Sequence, residues 1–208
     1  MIDNSQQAEI VAFMGATGCG KTYAMTKRLG KPKRKRTMFW SPKEVADNYA
    51  GLYAGSVVFT SIRDMLGHIK KAGSGPFHVV FKPSPNRKTA EQQFDVFCKA
   101  AKAAMNVTVI ADELHTVMKP GWAPDGCNDM LLTGRAYGVK FFGLSQRPTG
   151  INKDFFSNCS TIRTGRLGFH EDARTMAKAL GVPDTDVLKL TGYQFIEKNV
   201  FTGEITRG

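Results

Sequence analysis

Eight consecutive residues, Gly15, Ala16, Thr17, Gly18, Cys19, Gly20, Lys21 and Thr22, fit G-x-x-x-x-G-K-[ST] at every fixed position. The chemistry this spacing serves is phosphate binding. Successive backbone N–H groups must come close to phosphate oxygens, and glycines permit that approach. A helix that follows at once points its positive end at the same anion. Lys21 is then placed for the β- and γ-phosphates, and the Thr22 hydroxyl for Mg²⁺. The apolar run "EIVAFMG" leads into the loop and the helical "KTYAMTKRLG" leaves it, which is the context the pattern needs. ATP and Mg²⁺ are the expected ligands.

A second chemical signal is the acid pair Asp112 and Glu113 at the end of "VTVIADE". Carboxylates at the mouth of an apolar strand are costly unless charge lies near them. Beside a bound nucleotide, Asp112 would complete the Mg²⁺ shell, and Glu113 would orient and deprotonate the attacking water. The adjacent glutamate points to hydrolysis rather than transfer to a metabolite. The competing reading is a strand that ends in ordinary surface acids. A guanine-specific site is not supported: "INKDFF" carries Asn152, Lys153 and Asp154, but Phe155 stands where N-K-x-D requires Asp.

The third signal is "FFGLSQRPTG", residues 141–150, an apolar strand that ends on Gln146 and Arg147 and is stopped by Pro148. Ligands in parallel sheets sit at the carboxyl ends of strands. With this strand beside the P-loop strand, Gln146 would reach the γ-phosphate from the side. It would hold the lytic water or report on the phosphate. The plainer alternative is a polar strand terminus chosen for solubility.

These residues need a scaffold, and strand and helix patterns alternate along the chain. "RTMFWS", "SVVFTS", "FHVVFKP", "VTVIADE", "VKFFGLSQ" and "TIRTGRL" read as strands. Ile62, Met65, Leu66 and Ile69 mark one helical stripe; Phe94, Phe97, Cys98 and Ala101 mark another. "CNDMLLTGRAYG" reads as a helix ending near Gly138, "EDARTMAKALG" as a helix, and "YQFIEKN…GEITRG" as a terminal hairpin. The expected fold is α/β: a RecA-like P-loop NTPase with a mostly parallel central sheet, helices on both faces and a small C-terminal β-hairpin. One domain is expected over residues 1–208, with a core at about 9–166 and a C-terminal helix and hairpin at 167–208.

The succession of P-loop, "ADE" and "GRAYGVKFFGLSQRP" resembles the FtsK–HerA superfamily of nucleic-acid-pumping ATPases. There a helix bearing G-R-x-x-G-V leads into an apolar strand ending T/S-Q-R-P. The small size resembles the genome-packaging ATPases of tailless, internal-membrane phages and related viruses. The resemblance spans about residues 9–166; the P-loop is common to many families, and the "GR…GV…SQRP" combination is the discriminating part. It implies an arginine finger acting on a neighbouring subunit's nucleotide, Arg135 by motif position, with Arg147, Arg163 and Arg166 as alternatives. A finger in trans implies a homo-oligomeric ring, pentameric or hexameric. HerA-type helicases carry a further N-terminal barrel and FtsK-type motors carry membrane and DNA-reading domains; with a first strand at about residue 9, the expectation is the compact viral branch without them.

Composition agrees with a polyanionic partner. Lysine and arginine number 29 against 18 acids, a net charge of +11, which favours nucleic acid or an anionic surface. From Lys21 to Arg36 there are eight basic residues and no acid. Contact with n phosphates through such residues gives a salt slope of about −0.9n; a solvated loop is the competing reading. Lys82, Arg87 and Lys88 are weaker candidates. The four cysteines show no metal-ligand spacing and read as reduced thiols. The N-terminus lacks secretory features, and no apolar run approaches the ~18 residues of a membrane span.

The expected activity is therefore ATP hydrolysis that drives double-stranded DNA, most simply into a preformed capsid. The expected partners are the DNA, a capsid vertex or portal protein and further copies of the chain, in the host cytoplasm or on the virion. The alternatives are a filamentous-phage morphogenesis ATPase similar to zonula occludens toxin, a P-loop kinase of small molecules, and a nucleotide-gated binding protein without motor function.

Overall fold

The structure, a computed structural model, describes residues 9–30, 36–45 and 48–208. The strands are β1 (Ile10–Met14), β2 (Arg36–Trp40), β3 (Val57–Phe59), β4 (Phe77–Phe81), β5 (Thr108–Ala111), β6 (Lys140–Ser145), β7 (Thr161–Gly165), β8 (Phe195–Asn199) and β9 (Ile205–Arg207). The helices are α1 (Lys21–Leu29), α2 (Ile62–Ala72), α3 (Arg87–Ala104), α4 (Asp125–Thr133), α5 (Lys153–Asn158), α6 (His170–Leu180) and α7 (Asp184–Leu188). The strands make a nine-stranded, mostly parallel sheet that ends in an antiparallel hairpin, so the α/β expectation is met. The chain divides into two compact units.

One unit holds β2 to β5 and α2 to α4. Its strands run in the order β3–β4–β2–β5, all parallel, with β3 at the edge as its half-exposed valines suggest. Met38, Phe39 and Trp40, Val79 to Phe81, and Val109 to Ala111 have no exposed surface. Such unbroken apolar runs suit strands covered on both faces. Trp40 meets Phe94 edge-on at 4.8 Å and Phe97 at 5.5 Å. The α3 stripe of Phe94, Phe97, Cys98 and Ala101 is fully buried, as its spacing predicts. On α2, Met65 and Ile69 are buried but Leu66 is 37% exposed, so that stripe is narrower than expected. Asn86 Oδ1 accepts from Thr89 N–H at 3.1 Å and caps α3, so the breaker-rich "KPSPNRK" is loop only up to its cap.

The other unit holds β1, most of β6, β7 to β9, α1 and α5 to α7. Strand β1 is buried along its length and pairs parallel with β7, Val11 opposite Thr161 through Met14 opposite Thr164. Strand β8 returns antiparallel on β7, and β9 on β8. In β6, Gly143 is required by packing: a Cβ there would stand 2.7 Å from Phe155 Cζ and 2.9 Å from Leu114 Cδ2.

Three departures from the sequence expectation have local causes. The helix expected over "CNDMLLTGRAYG" is α4 followed by a separate 3-10 turn, Gly134–Tyr137, because Gly134 sits where a Cβ would press on Val139 at 3.3 Å. Helices α5 and α7 have six and five residues, too short for periodicity to show. Strand β6 ends at Ser145, one residue before Gln146. All four cysteines are free and buried, and burial pushes the Cys98 and Cys159 thiols well above the usual range. Lys31, Lys33, Arg34 and Lys35 of the basic stretch lie outside the described residues. No helix among the described residues is long and apolar enough to cross a membrane.

Gly143→Ala should overpack the β6–α5 contact and lower stability by about 1–3 kcal/mol. Urea unfolding of both proteins measures it; an unchanged midpoint contradicts the packing argument.

Candidate functional site

The loop that carries the G-x-x-x-x-G-K-[ST] pattern lies between β1 and α1. Gly15 N–H donates to Ser145 O at 3.1 Å and Ala16 N–H to Arg166 O at 2.7 Å, which pins the start of the loop to the ends of β6 and β7. Gly15 has φ +145°, and a Cβ there would stand 2.5 Å from Cys19 Sγ, so the loop can close only on glycine. Gly20 enters α1 in the left-handed conformation, φ +87°, without a side-chain cap. The N–H groups of Thr17, Gly18 and Gly20 donate to no protein group among the described residues. Lys21 Nζ donates to Gly15 O at 2.7 Å and Ala16 O at 3.0 Å, so the ammonium lies over the loop it would serve. Loop N–H groups without protein acceptors, followed directly by a helix N-terminus, are the elements from which anion sites are built.

A hydrogen-bonded chain leaves this loop. Thr17 Oγ1 donates to Gln146 Oε1 at 2.7 Å, and Gln146 Nε2 donates to Glu113 Oε1 at 2.5 Å. Glu113 is 4% exposed, and its Oε2 stands 3.5 Å from His115 Nδ1. The same ring nitrogen is 2.9 Å from Ser145 Oγ, which also accepts from Arg147 N–H at 3.1 Å. Glu113 has φ +50°, unusual for a residue with a side chain. Thr116 secures that turn, since its N–H and Oγ1 both donate to Glu113 O at 2.8 Å.

Asp112 precedes Glu113 in the chain, is partly exposed, and donates its N–H to Trp40 O at 3.0 Å at the end of β5. Thr22 lies exposed in the first turn of α1. Among the described residues no three His, Cys, Asp or Glu side chains gather as a metal cage.

The four candidate arginines have different surroundings. Arg166 Nη2 donates to Thr17 O at 3.2 Å. Arg147 Nε donates to Asp172 Oδ2 at 3.0 Å, and its guanidinium lies 4.5 Å over the Phe169 ring. Arg163 pairs with Glu197 at 3.2 Å and lies 3.4 Å over Phe195. Arg135 is exposed in the Gly134–Tyr137 turn, with no ion pair to its guanidinium among the described residues.

Comparison with known structures follows this geometry. The genome packaging NTPase B204 of Sulfolobus turreted icosahedral virus 2, in complex with sulfate, superposes with a TM-score of 0.72 at 16% identity, covering 97% of this chain and 96% of that one. The chain therefore shares the α/β fold of that NTPase. The same B204 in complex with AMPPCP gives 0.69 at 16% identity over 96% of each chain. The bacterial conjugative coupling protein TrwBdeltaN70 gives 0.60 at 10% identity over 99% of this chain and 89% of that one. By sequence, Protein P9 of Pseudoalteromonas phage PM2 is 26% identical over 181 residues, 85% of this chain and 77% of that protein. No protein-family model matches.

In this site, sequence reasoning did not find Asp172, His115 or the link from Thr17. Asp172 is 1% exposed and accepts from Thr149 N–H at 3.1 Å, Thr149 Oγ1 at 2.7 Å and Arg147. It fixes the turn after Gln146 from a helix more than twenty residues away. An acid in the first turn of α6 gave the only signal, and that reads equally as a helix-dipole charge. Asp172→Ala leaves the Arg147 and Thr149 donors without their acceptor and should cost about 2 kcal/mol. Denaturant unfolding beside Glu171→Ala, an exposed control on the same turn, checks it; equal midpoints refute the assignment.

Proposed function

We propose that the chain hydrolyses ATP and uses the energy to drive double-stranded DNA into a preformed viral capsid. The observation that carries the hydrolytic part is the chain Thr17–Gln146–Glu113, which ties a buried carboxylate to the phosphate loop. B204, whose fold this chain shares, is a genome packaging NTPase seen with AMPPCP and ATP-gammaS.

In this reading Gly15 to Thr22 form the nucleotide cradle. The backbone N–H groups of Thr17, Gly18 and Gly20 bind phosphate oxygens, and Lys21 exchanges the carbonyls of Gly15 and Ala16 for the β- and γ-phosphates. Thr22 and Asp112 would hold Mg²⁺, which when bound neutralises charge on those phosphates. Glu113 accepts a proton from the attacking water as the water oxygen bonds to the γ-phosphorus, and the bond from that phosphorus to the β,γ-bridging oxygen breaks, so that ADP leaves with the electron pair. Gln146 holds the Glu113 carboxylate through one amide arm and senses the loop through Thr17 with the other. Arg135, exposed and unengaged, is the finger presented to a neighbouring subunit in a pentameric or hexameric ring. Arg147 and Arg163 serve ion pairs of their own unit, and Arg166 its own P-loop. The net charge of +11 supports DNA as the translocated partner. A capsid vertex or portal protein is the docking partner, and the host cytoplasm or the virion the setting.

Glu113→Gln should still bind ATP and lose turnover by about 10² to 10⁴-fold, the usual weight of a general base. Equilibrium binding and phosphate release measure the two steps; turnover near the unmodified rate removes Glu113 as base. Long duplex DNA should stimulate hydrolysis by the unmodified protein, and its failure to do so argues against the motor.

Arg135→Ala subunits mixed with unmodified ones should depress ATPase activity more than in proportion to their fraction, because a trans finger is worth about 10³ to 10⁵ in rate. A strictly proportional decline argues against action between subunits.

A further inference from the structure

A cavity of about 750 Å³ opens directly on the P-loop, within one compact unit. That volume lies in the range of small-molecule sites. Cys19 and Gly20 of the loop form one wall, so whatever is joined to a phosphate chain held there has this space beside it. Tyr23, one residue beyond Thr22 on α1, forms a second wall, and Arg163, Tyr193 and Phe195 the third.

Tyr193 is set into this space by a short rigid turn. Gln194 N–H donates to Thr191 O at 2.9 Å, and Gln194 Oε1 accepts from Thr191 N–H at 3.0 Å and Thr191 Oγ1 at 3.1 Å. Gly192, φ +51°, makes the bend. The turn lays the Tyr193 ring against the last P-loop glycine: a Cβ on Gly20 would stand 3.4 Å from Tyr193 Cδ1. Even so the ring is 77% exposed, and Tyr23 is 74% exposed. Arg163, also in the lining, is already committed: it is stacked on Phe195 and paired with Glu197. Two exposed aromatic rings therefore line the cavity beside Gly20, and Lys27 and Arg28 also line it.

We propose that Tyr193 is the base-stacking residue of the nucleotide site, seating the purine ring of the triphosphate in this cavity with Tyr23 lining its entrance. The proposal rests on the P-loop reading above and extends it to a C-terminal turn outside the residues that carry the FtsK–HerA resemblance. Stacking reads the face of a ring and not its edge, and a purine offers more face than a pyrimidine. The seat accepts ATP and GTP alike and holds CTP less well.

Equilibrium binding of ATP, GTP, CTP and inorganic tripolyphosphate, each with Mg²⁺, tests this on the full chain. Tyr193→Ala should weaken ATP and GTP by about tenfold, in line with the loss of one base–aromatic stack. Tripolyphosphate should bind as before, because it has no base. Tyr193→Phe should match the unmodified protein. Unchanged ATP affinity in Tyr193→Ala overturns the proposal and leaves the P-loop reading standing. Equal losses of ATP and tripolyphosphate overturn it too, since the ring then only braces Gly20. An unmodified chain that binds neither ATP nor tripolyphosphate removes both readings.

Discussion

A carboxylate that is almost wholly buried has to be held by hydrogen-bond donors, and the site is arranged around that requirement at Glu113. Removal of an ionised group from water costs several kcal/mol unless donors replace the solvent. Gln146 supplies one such donor, with His115 close by. The requirement explains why an apolar strand ends in an amide. Strand β6 stops at Ser145, the next side chain turns to Glu113, and Pro148 then opens a 3-10 turn that keeps the chain from extending the strand. The left-handed backbone at Glu113 is the cost of aiming its side chain this way, about 1–3 kcal/mol for such conformations, and Thr116 holds the turn against it.

The same amide has two arms, and the second arm matters for function. Because Gln146 Oε1 accepts from Thr17, the glutamate and the phosphate loop are not independent. The N–H groups of Thr17, Gly18 and Gly20 donate to no protein group among the described residues, so an anion that draws the loop toward itself changes what Gln146 can hold. Asp172 anchors the far side of Gln146 by fixing Arg147 and Thr149, which leaves the amide as the compliant link between two braced segments.

Legibility in the sequence followed the range of the determining interactions. The P-loop was readable because its geometry is set by eight neighbouring residues, with Gly15 and Gly20 forced by positive φ. The α3 stripe and the parallel strands were readable because burial follows a fixed period or an unbroken apolar run. Helices α5 and α7 were not, since five or six residues hold less than two turns of pattern. Neither were the partners of Gln146 or the role of Asp172, which depend on contacts spanning 23 to 129 positions in the chain. The four arginines illustrate the limit. In the sequence only motif position sets Arg135 before the other three, and the coordinates add that Arg147, Arg163 and Arg166 are engaged while the Arg135 guanidinium has no ion pair among the described residues.

The antiparallel end of the sheet completes the reasoning about what the unit adds to a bare P-loop. A parallel β8 would need a crossover of a dozen or more residues and would emerge at the opposite end of β7. Running antiparallel, β8 instead starts level with Gly165, where Phe195 pairs with it, and so brings the turn before it to the carboxyl end of β7. That is the end at which Ala16 is pinned through Arg166 O. The direction of one strand thereby places Tyr193 beside Gly20, and it does so through backbone register, which single side-chain changes in β8 do not alter.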